Sequence, residues 1–317
     1  MTVEQPTFGV VICAYTLARW GAVRAAIASV RDQLQTGDRL FVVVDHNPEL
    51  LARLRTELAP GPDLVVVPNG EARGLSGARN TGLRASNHTV VAFLDDDAIA
   101  RPGWLEILRE AFTDEEAVTV VGTTVEPNWE GGRPPRWFPA EFGWVVGCGY
   151  RGLPVDRTPI RNPIGAAMAI RRSAFAVAGE FSELVGRVGA LPVGCEETEF
   201  CIRVARTIPG SVVLHEPSGT VDHLVPRSRQ TLRYFVRRCF HEGRSKWAVT
   251  RLGGARAGLS AERRYVRVVL PSAVARGLGS GLRRGDVHAL LRSVVVLLGL
   301  GVTATGFATA AVSGRRA

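Results

Sequence analysis

The chain has 317 residues, of which 46% are hydrophobic and 22% charged, ordinary values for a globular protein with a real core. That length suits one large domain, or one domain with an appendage. Thirty-nine Lys and Arg against 30 Asp and Glu leave a net charge of +9. No zinc-finger spacing, aromatic-rich RNA platform or basic repeat accompanies it, so nucleic acid is excluded as an expected partner, whereas an anionic membrane surface is not.

The five cysteines, Cys13, Cys148, Cys195, Cys201 and Cys239, fit no metal-site spacing and read as reduced thiols of a cytosolic protein. Met1 to Thr7 is polar and acidic, unlike a secretory signal.

From residue 8 to about 125 the pattern alternates strand and helix. Phe8 to Ala14 is an apolar, β-branched run, followed by helical spacing from Leu17 to Leu34 with Trp20, Val23, Ile27 and Val30 on one face. Leu40 to Val44 is a second strand ending on Asp45, and Leu64 to Val67 a third. Ser76 is a plausible cap for a short helix to Ala85. Val90 to Leu94 is the fourth strand. Pro102 suits the start of the next helix, and Val118 to Gly122 is the fifth strand. Repeated βα units with short links predict a doubly wound α/β sheet. Residues 126–158 turn to Pro, Gly, Trp and Arg and read as irregular. Ala166 to Ile170 then resumes as a strand, Ser173 opens a helix, and Glu196 to Ala205 is another. Val212 to Leu214 is a short strand, and Arg229 to Trp247 a basic amphipathic helix with Tyr234, Phe235 and Phe240 on its apolar side. Its arginines could meet anionic lipid, a phosphate-bearing acceptor or solvent.

Ser293 to Ser313 runs 21 residues without a charge, flanked by Arg292 and by Arg315-Arg316. That length can span a bilayer, but a tail rich in Gly, Ala and Thr reads equally as an interfacial or core helix.

Asp95-Asp96-Asp97 follows the fourth strand directly, at the carboxyl end where ligands bind in open α/β sheets. Three adjacent carboxylates repel one another and raise each other's pKa. A divalent cation relieves this, and hard oxygen ligands favour Mg²⁺ or Mn²⁺, which often carry substrate phosphates. A solvated acidic loop is the plainer explanation of the triplet alone.

Several segments resemble, in order, those of the family 2 inverting glycosyltransferases of GT-A fold. Val10 to Thr16 is similar to the family's opening strand and turn, with Cys13 in place of its proline and Thr16 in place of its asparagine. Val42 to Asp45 resembles its second strand, Gly77 to Gly82 its A-R-N-x-G segment and Phe93 to Asp97 its F-L-D-x-D motif. Asn162 to Arg172 resembles its acceptor-side strand, Gly194 to Arg203 its G-x-E-D motif, and His223 falls where many members place a metal-binding histidine.

The resemblance implies a GT-A-like doubly wound mixed sheet with a Rossmann-like nucleotide-binding half and a C-terminal helical extension. Residues 8–225 would be the catalytic domain, 8–125 its nucleotide-sugar half and 126–225 its acceptor half, with 226–317 a membrane-associated extension. It implies Mg²⁺ or Mn²⁺ on Asp95, Asp97 and His223. The donor, a UDP or dTDP sugar, would meet Cys13, Tyr15, Asp45, Arg79, Asp95 and Asp96, and the acceptor would meet Gly165 and Glu196. Tyr15 would stack on the base, Asp45 accept from it, and Arg79 pair with the diphosphate. The general base is expected at Glu197, where the family has Asp, with Glu196 as the other candidate. The acceptor is expected to be a cell-envelope glycan or lipid-linked molecule, and the protein to be cytoplasmic on the inner face of the membrane. A nucleotidyltransferase is the competing enzyme class, but Cys13 to Leu17 lacks the Gly-rich loop such enzymes place after the first strand. An inactive membrane-attached binding protein of the same fold is the other alternative.

Overall fold

The computed structural model describes residues 5–58, 61–183, 194–253 and 260–313. Of the segments singled out above, Met1 to Glu4 and Arg315-Arg316 lie outside these residues. The chain forms two compact units, one of residues 1–126, 154–191 and 196–223, the other of residues 127–153, 192–195 and 224–317.

The first unit is built on a mixed sheet. β1 (Phe8–Ala14), β2 (Arg39–Val44), β3 (Leu64–Pro68) and β4 (Val90–Asp95) are parallel, in the order β3-β2-β1-β4. Most of their side chains are buried, which is why they read as apolar runs. The register pairs Cys13 with Asp95 and Cys13 with Val43, so the chain leaves β1, β2 and β4 at one edge. Next come β5 (Ala98–Ala100), β6 (Val118–Trp129), β7 (Thr158–Pro159), β8 (Ala167–Arg171) and β9 (Val212–Val225). β8 lies antiparallel between β4 and β6, and β5 lies antiparallel to β9.

The helices of this unit are α1 (Trp20–Arg31), α2 (Pro48–Glu57), α3 (Leu75–Ala85), α4 (Trp104–Asp114), α5 (Arg172–Ala178) and α6 (Glu196–Thr207). α1 is shorter than its periodicity predicts: Thr16 caps a 3₁₀ turn over Leu17–Arg19, and the α-helix follows. α2 buries only Leu50 and Leu54, too few for a periodic signal, but Asn47 caps it and Pro48 opens it. Ser76 is not the cap of α3. That position is Gly74, whose φ of 132° favours glycine and which offers no side-chain bond. β9 extends far past the expected Leu214. From Gly219 on, Val221, His223 and Val225 alternate inward with half-exposed Thr220 and Asp222, and the buried histidine breaks the apolar pattern.

The second unit is helical: α7 (Leu232–Gly253), α8 (Ser260–Arg264), a π-turn over Tyr265–Val269, α9 (Leu270–Arg284) and α10 (Val287–Ser313). Phe235 is fully buried among Trp137, Phe138 and Phe142, with ring centroids 5.8, 6.1 and 5.2 Å away. Along α7, Glu242 bonds Arg238 at 2.7 Å and Lys246 at 3.3 Å. Burial opposes that charge, but the two cations outweigh it and bring the carboxyl down to about 2.

α7 and α10 meet through glycines. A Cβ on Gly243 would lie 2.0 Å from the Thr303 carbonyl oxygen, and one on Gly306 would lie 2.0 Å from that of Phe240. One face of α10 is buried, with Ala289 and Ser293 against Gly277 of α9 and Gly299 against Phe142 and Phe235, while Val287, Leu291, Val294 and Leu298 are exposed along the other.

Gly243→Ala and Gly306→Ala should each destabilise the protein by about 1–3 kcal/mol through overpacking. Gly301→Ala, whose Cβ meets nothing within 4 Å, should be neutral or stabilising by up to about 1 kcal/mol. Denaturant unfolding of the three variants checks this; equal effects would show that the glycines do not set the helix contact.

Candidate active site

The strand ends gather the titratable groups. β4 ends on Asp95, and Asp96 and Asp97 form the turn into β5. β5 pairs Ala98 with His223 of β9, which returns the histidine to that turn. Its Nε2 lies 3.2 Å from Asp97 Oδ1 and 3.9 Å from Asp95 Oδ2. One ligand atom from each of Asp95, Asp97 and His223 lies within 4.8 Å of the others. Asp97 and His223 are buried, and Asp95 is half-buried.

Arg19, absent from the expected site, reaches the same carboxylates. Its Nη1 lies 2.6 Å from Asp96 and 3.2 Å from Asp97, and its guanidinium stands 5.3 Å over the Tyr15 ring. A signal for it did exist: it sits four residues after Tyr15, at the carboxyl end of the first strand. Asp96 is buried, which pushes its carboxyl up to about 7; Asp97 and Asp95 add to the rise while Arg19 opposes it. Its Oδ2 has no hydrogen-bond partner among the described residues.

Below this turn lies Arg79, on α3 and buried rather than solvated. It donates to Glu196 Oε1 at 2.8 Å and to the Gly165 carbonyl at 2.7 Å, and lies 3.7 Å from Asp95. Phe93 and Phe181 hold its guanidinium at ring distances of 5.7 and 5.6 Å. Gly165 joins Arg79 to Glu197: a Cβ there would be 3.3 Å from Arg79 and 3.5 Å from Glu197 Oε2. Glu197 is half-buried, whereas Glu196 is buried and its Oε2 has no partner among the described residues. Cys195, just before them, holds φ at 80°, an uncommon conformation for a non-glycine residue. Cys13 faces Arg79 and Asp95, and burial pushes its thiol far up, so it is neutral.

Asp45 stands apart from this group, on the turn beyond β2. It accepts from Asn69 at 2.7 Å, from the Gly74 N–H at 3.1 Å and from His46 at 2.9 Å. A carboxylate has about four acceptor sites, so a further donor can be met there. Tyr15 is half-buried, and its carbonyl accepts from Asn47 at 3.1 Å.

Two carboxylates and an imidazole suit Mg²⁺ or Mn²⁺. The orphaned, buried oxygen of Asp96 and the crowding of like charges fit a site that takes a cation. Beside it, a half-buried carboxylate at Glu197 can accept a proton, and Arg79 is held for charge compensation.

The family model described as Glycosyl transferase family 2 matches residues 9–178. A glucosyl-dolichyl phosphate glucuronosyltransferase of Haloferax volcanii is 33% identical over 237 residues, 75% of each chain. Among solved structures, the mannosyltransferase PcManGT of Pyrobaculum calidifontis, in complex with GDP-Man and Mn²⁺, matches 95% of this chain and 88% of its own with a TM-score of 0.62 and 16% identity. GalNAc-T7 with UDP, GalNAc and Mn²⁺ matches at a TM-score of 0.52 and 14% identity, over 86% of this chain, which spans 58% of that protein. These likenesses show the GT-A fold, with its mixed sheet and C-terminal helices.

Arg79 and Glu196, with side chains 2% and 4% exposed, should be energetically coupled. Arg79→Met alone should cost about 3–5 kcal/mol by leaving a buried charge unpaired, and Arg79→Met with Glu196→Gln should cost less. A double-mutant cycle by denaturant unfolding measures this; strictly additive losses would refute the pairing.

Proposed function

From a chain that belongs to glycosyl transferase family 2 and is a glycosyltransferase, we propose a metal-dependent inverting enzyme. It moves a sugar from a UDP or dTDP sugar to a hydroxyl of a lipid-linked acceptor or glycan of the cell envelope. The observation that carries this is the convergence of Asp95, Asp97 and His223 beside Arg79, Gly165 and Glu197. Residues 8–225 act as the catalytic domain, 8–125 as its donor half and 126–225 as its acceptor half; residues 226–317 are the helical extension.

Asp95, Asp97 and His223 would hold Mg²⁺ or Mn²⁺. When bound, such a cation offsets the charge of a departing diphosphate. Tyr15 stacks on the base and Asp45 accepts from it. Arg79 fixes Glu196 and the Gly165 carbonyl, and so shapes the floor on which the sugar rests. Arg19 supplies a mobile cation for Asp96 and Asp97 and meets the diphosphate when it leaves them. Inversion requires the acceptor hydroxyl to lose its proton as its oxygen bonds the anomeric carbon and the carbon–phosphate oxygen bond breaks. Glu197 takes that proton. Glu196 is the weaker candidate because Arg79 engages its carboxylate and it is buried.

The lipid-linked acceptor is supported by the name of the haloarchaeal relative, a glucosyl-dolichyl phosphate glucuronosyltransferase. It is supported also by α10, whose 27 residues are long and apolar enough to cross a membrane. We infer that α10 lies on the inner face of the membrane rather than through it. α7, packed along it, carries Arg233, Arg237, Arg238, Glu242, Arg244 and Lys246, and spanning would draw those charges into hydrocarbon. The exposed stripe Val287, Leu291, Val294 and Leu298, with Leu278 and Leu282 on α9, suits the apolar side of an interface, and Arg283, Arg284 and Arg292 suit anionic headgroups.

With Mn²⁺ present, UDP or dTDP at about 100 times its Kd should raise the melting temperature by roughly 5 °C or more, and Asp97→Ala should abolish the rise. No shift with any nucleoside diphosphate would refute the donor site. Glu197→Gln should keep that shift yet lower kcat by about 10²–10⁴-fold; a near-normal rate would move the base elsewhere.

A further inference from the structure

A surface groove of about 700 Å³ lies between α7 and α10, within the helical unit. Its walls are Val236 and Phe240 of α7 with Val302 and Thr305 of α10, and Arg233 and Arg237 stand among them. The two arginines are one helical turn apart, so their guanidinium groups can converge on one anion. Among the described residues no carboxylate pairs with either, and Glu242 farther along the helix is taken by Arg238 and Lys246. The ridge beyond them is positive too: burial lowers the pKa of His241, and Arg237, Arg244 and Arg238 push it the same way.

An apolar trough edged by two cations that no carboxylate pairs among the described residues fits an amphiphile with a hydrocarbon chain and a phosphate. The volume falls in the small-ligand range of about 300–1,000 Å³. We propose that the groove binds the isoprenoid phosphate end of the lipid-linked acceptor, the chain on Val236, Phe240 and Val302 and the phosphate on Arg233 and Arg237. The inference deepens the lipid-linked reading of the acceptor and rests on it. Guanidinium pairs suit the phosphate because they bond two oxygens at once. The chain stays out of water against side chains that the α7–α10 contact leaves open.

The test uses the full chain in non-ionic detergent, titrated with geranylgeranyl phosphate, geranylgeraniol, inorganic phosphate and phosphatidylglycerol vesicles, with binding read by tryptophan fluorescence. Geranylgeranyl phosphate should bind at least about tenfold more tightly than geranylgeraniol, and inorganic phosphate far more weakly. Arg233→Gln with Arg237→Gln, both on the exposed face, should remove that advantage. Val236→Ser should weaken the phosphate and the alcohol alike. The metal-dependent nucleotide shift should be unchanged in every variant, so its absence from the wild type refutes the donor site without touching the groove. An unchanged affinity for geranylgeranyl phosphate in the double variant would overturn the proposal. So would vesicle binding that depends on the two arginines while geranylgeranyl phosphate is not bound, which would assign the groove to bilayer phospholipid.

Discussion

A guanidinium buried in the first unit sets the arrangement of the site. Ionised groups are costly to desolvate, and Arg79 stays charged, so its surroundings must compensate it. Glu196, the Gly165 carbonyl and Asp95 do so from three parts of the chain that are far apart in sequence: the start of α6, the approach to β8 and the end of β4. Phe93 and Phe181 exclude water and present ring faces to the cation. Because each partner answers the same charge, Glu196 and Asp95 are gathered around one guanidinium without contact between their own elements being required.

The carboxylates above pose the opposite problem. Asp96 is buried with two acidic neighbours, and Arg19 answers it only in part. Such a cluster stores repulsion that a further cation can relieve. The mixed sheet makes this possible. Four parallel strands deliver the apolar support, and antiparallel β8 and the β5–β9 pair bring Gly165 and His223 back to the same edge.

The sequence showed the parallel strands, since residues buried on both faces leave an unbroken apolar run, and the acids at the end of β4 stood out against it. It showed less of what depends on tertiary closure. Arg19 reads as a helix residue until the turn is folded. The outer half of β9 is hidden because Pro217 and Gly219 punctuate it and His223 takes an inward position. Gly74 caps α3 by conformation rather than by a side chain, and so leaves no capping signature. The family resemblance identified Glu196 and Glu197 as a pair. Only packing separates them, since one is tied to Arg79 and the other lies half-open beside Gly165.

The tail shows how packing decides what composition leaves open. Twenty-one uncharged residues satisfy the length of a spanning helix, but Gly243 and Gly306 bring α10 within backbone contact of the charged helix α7. Small residues allow such close approach in membranes and in water alike, so the glycines alone do not choose. The charges do. Glu242 is held ionised by Arg238 and Lys246 against the cost of its burial, and hydrocarbon would raise that cost further. A helix packed on α7 keeps one apolar face on the protein and offers the other outward, which supports the interfacial reading proposed above.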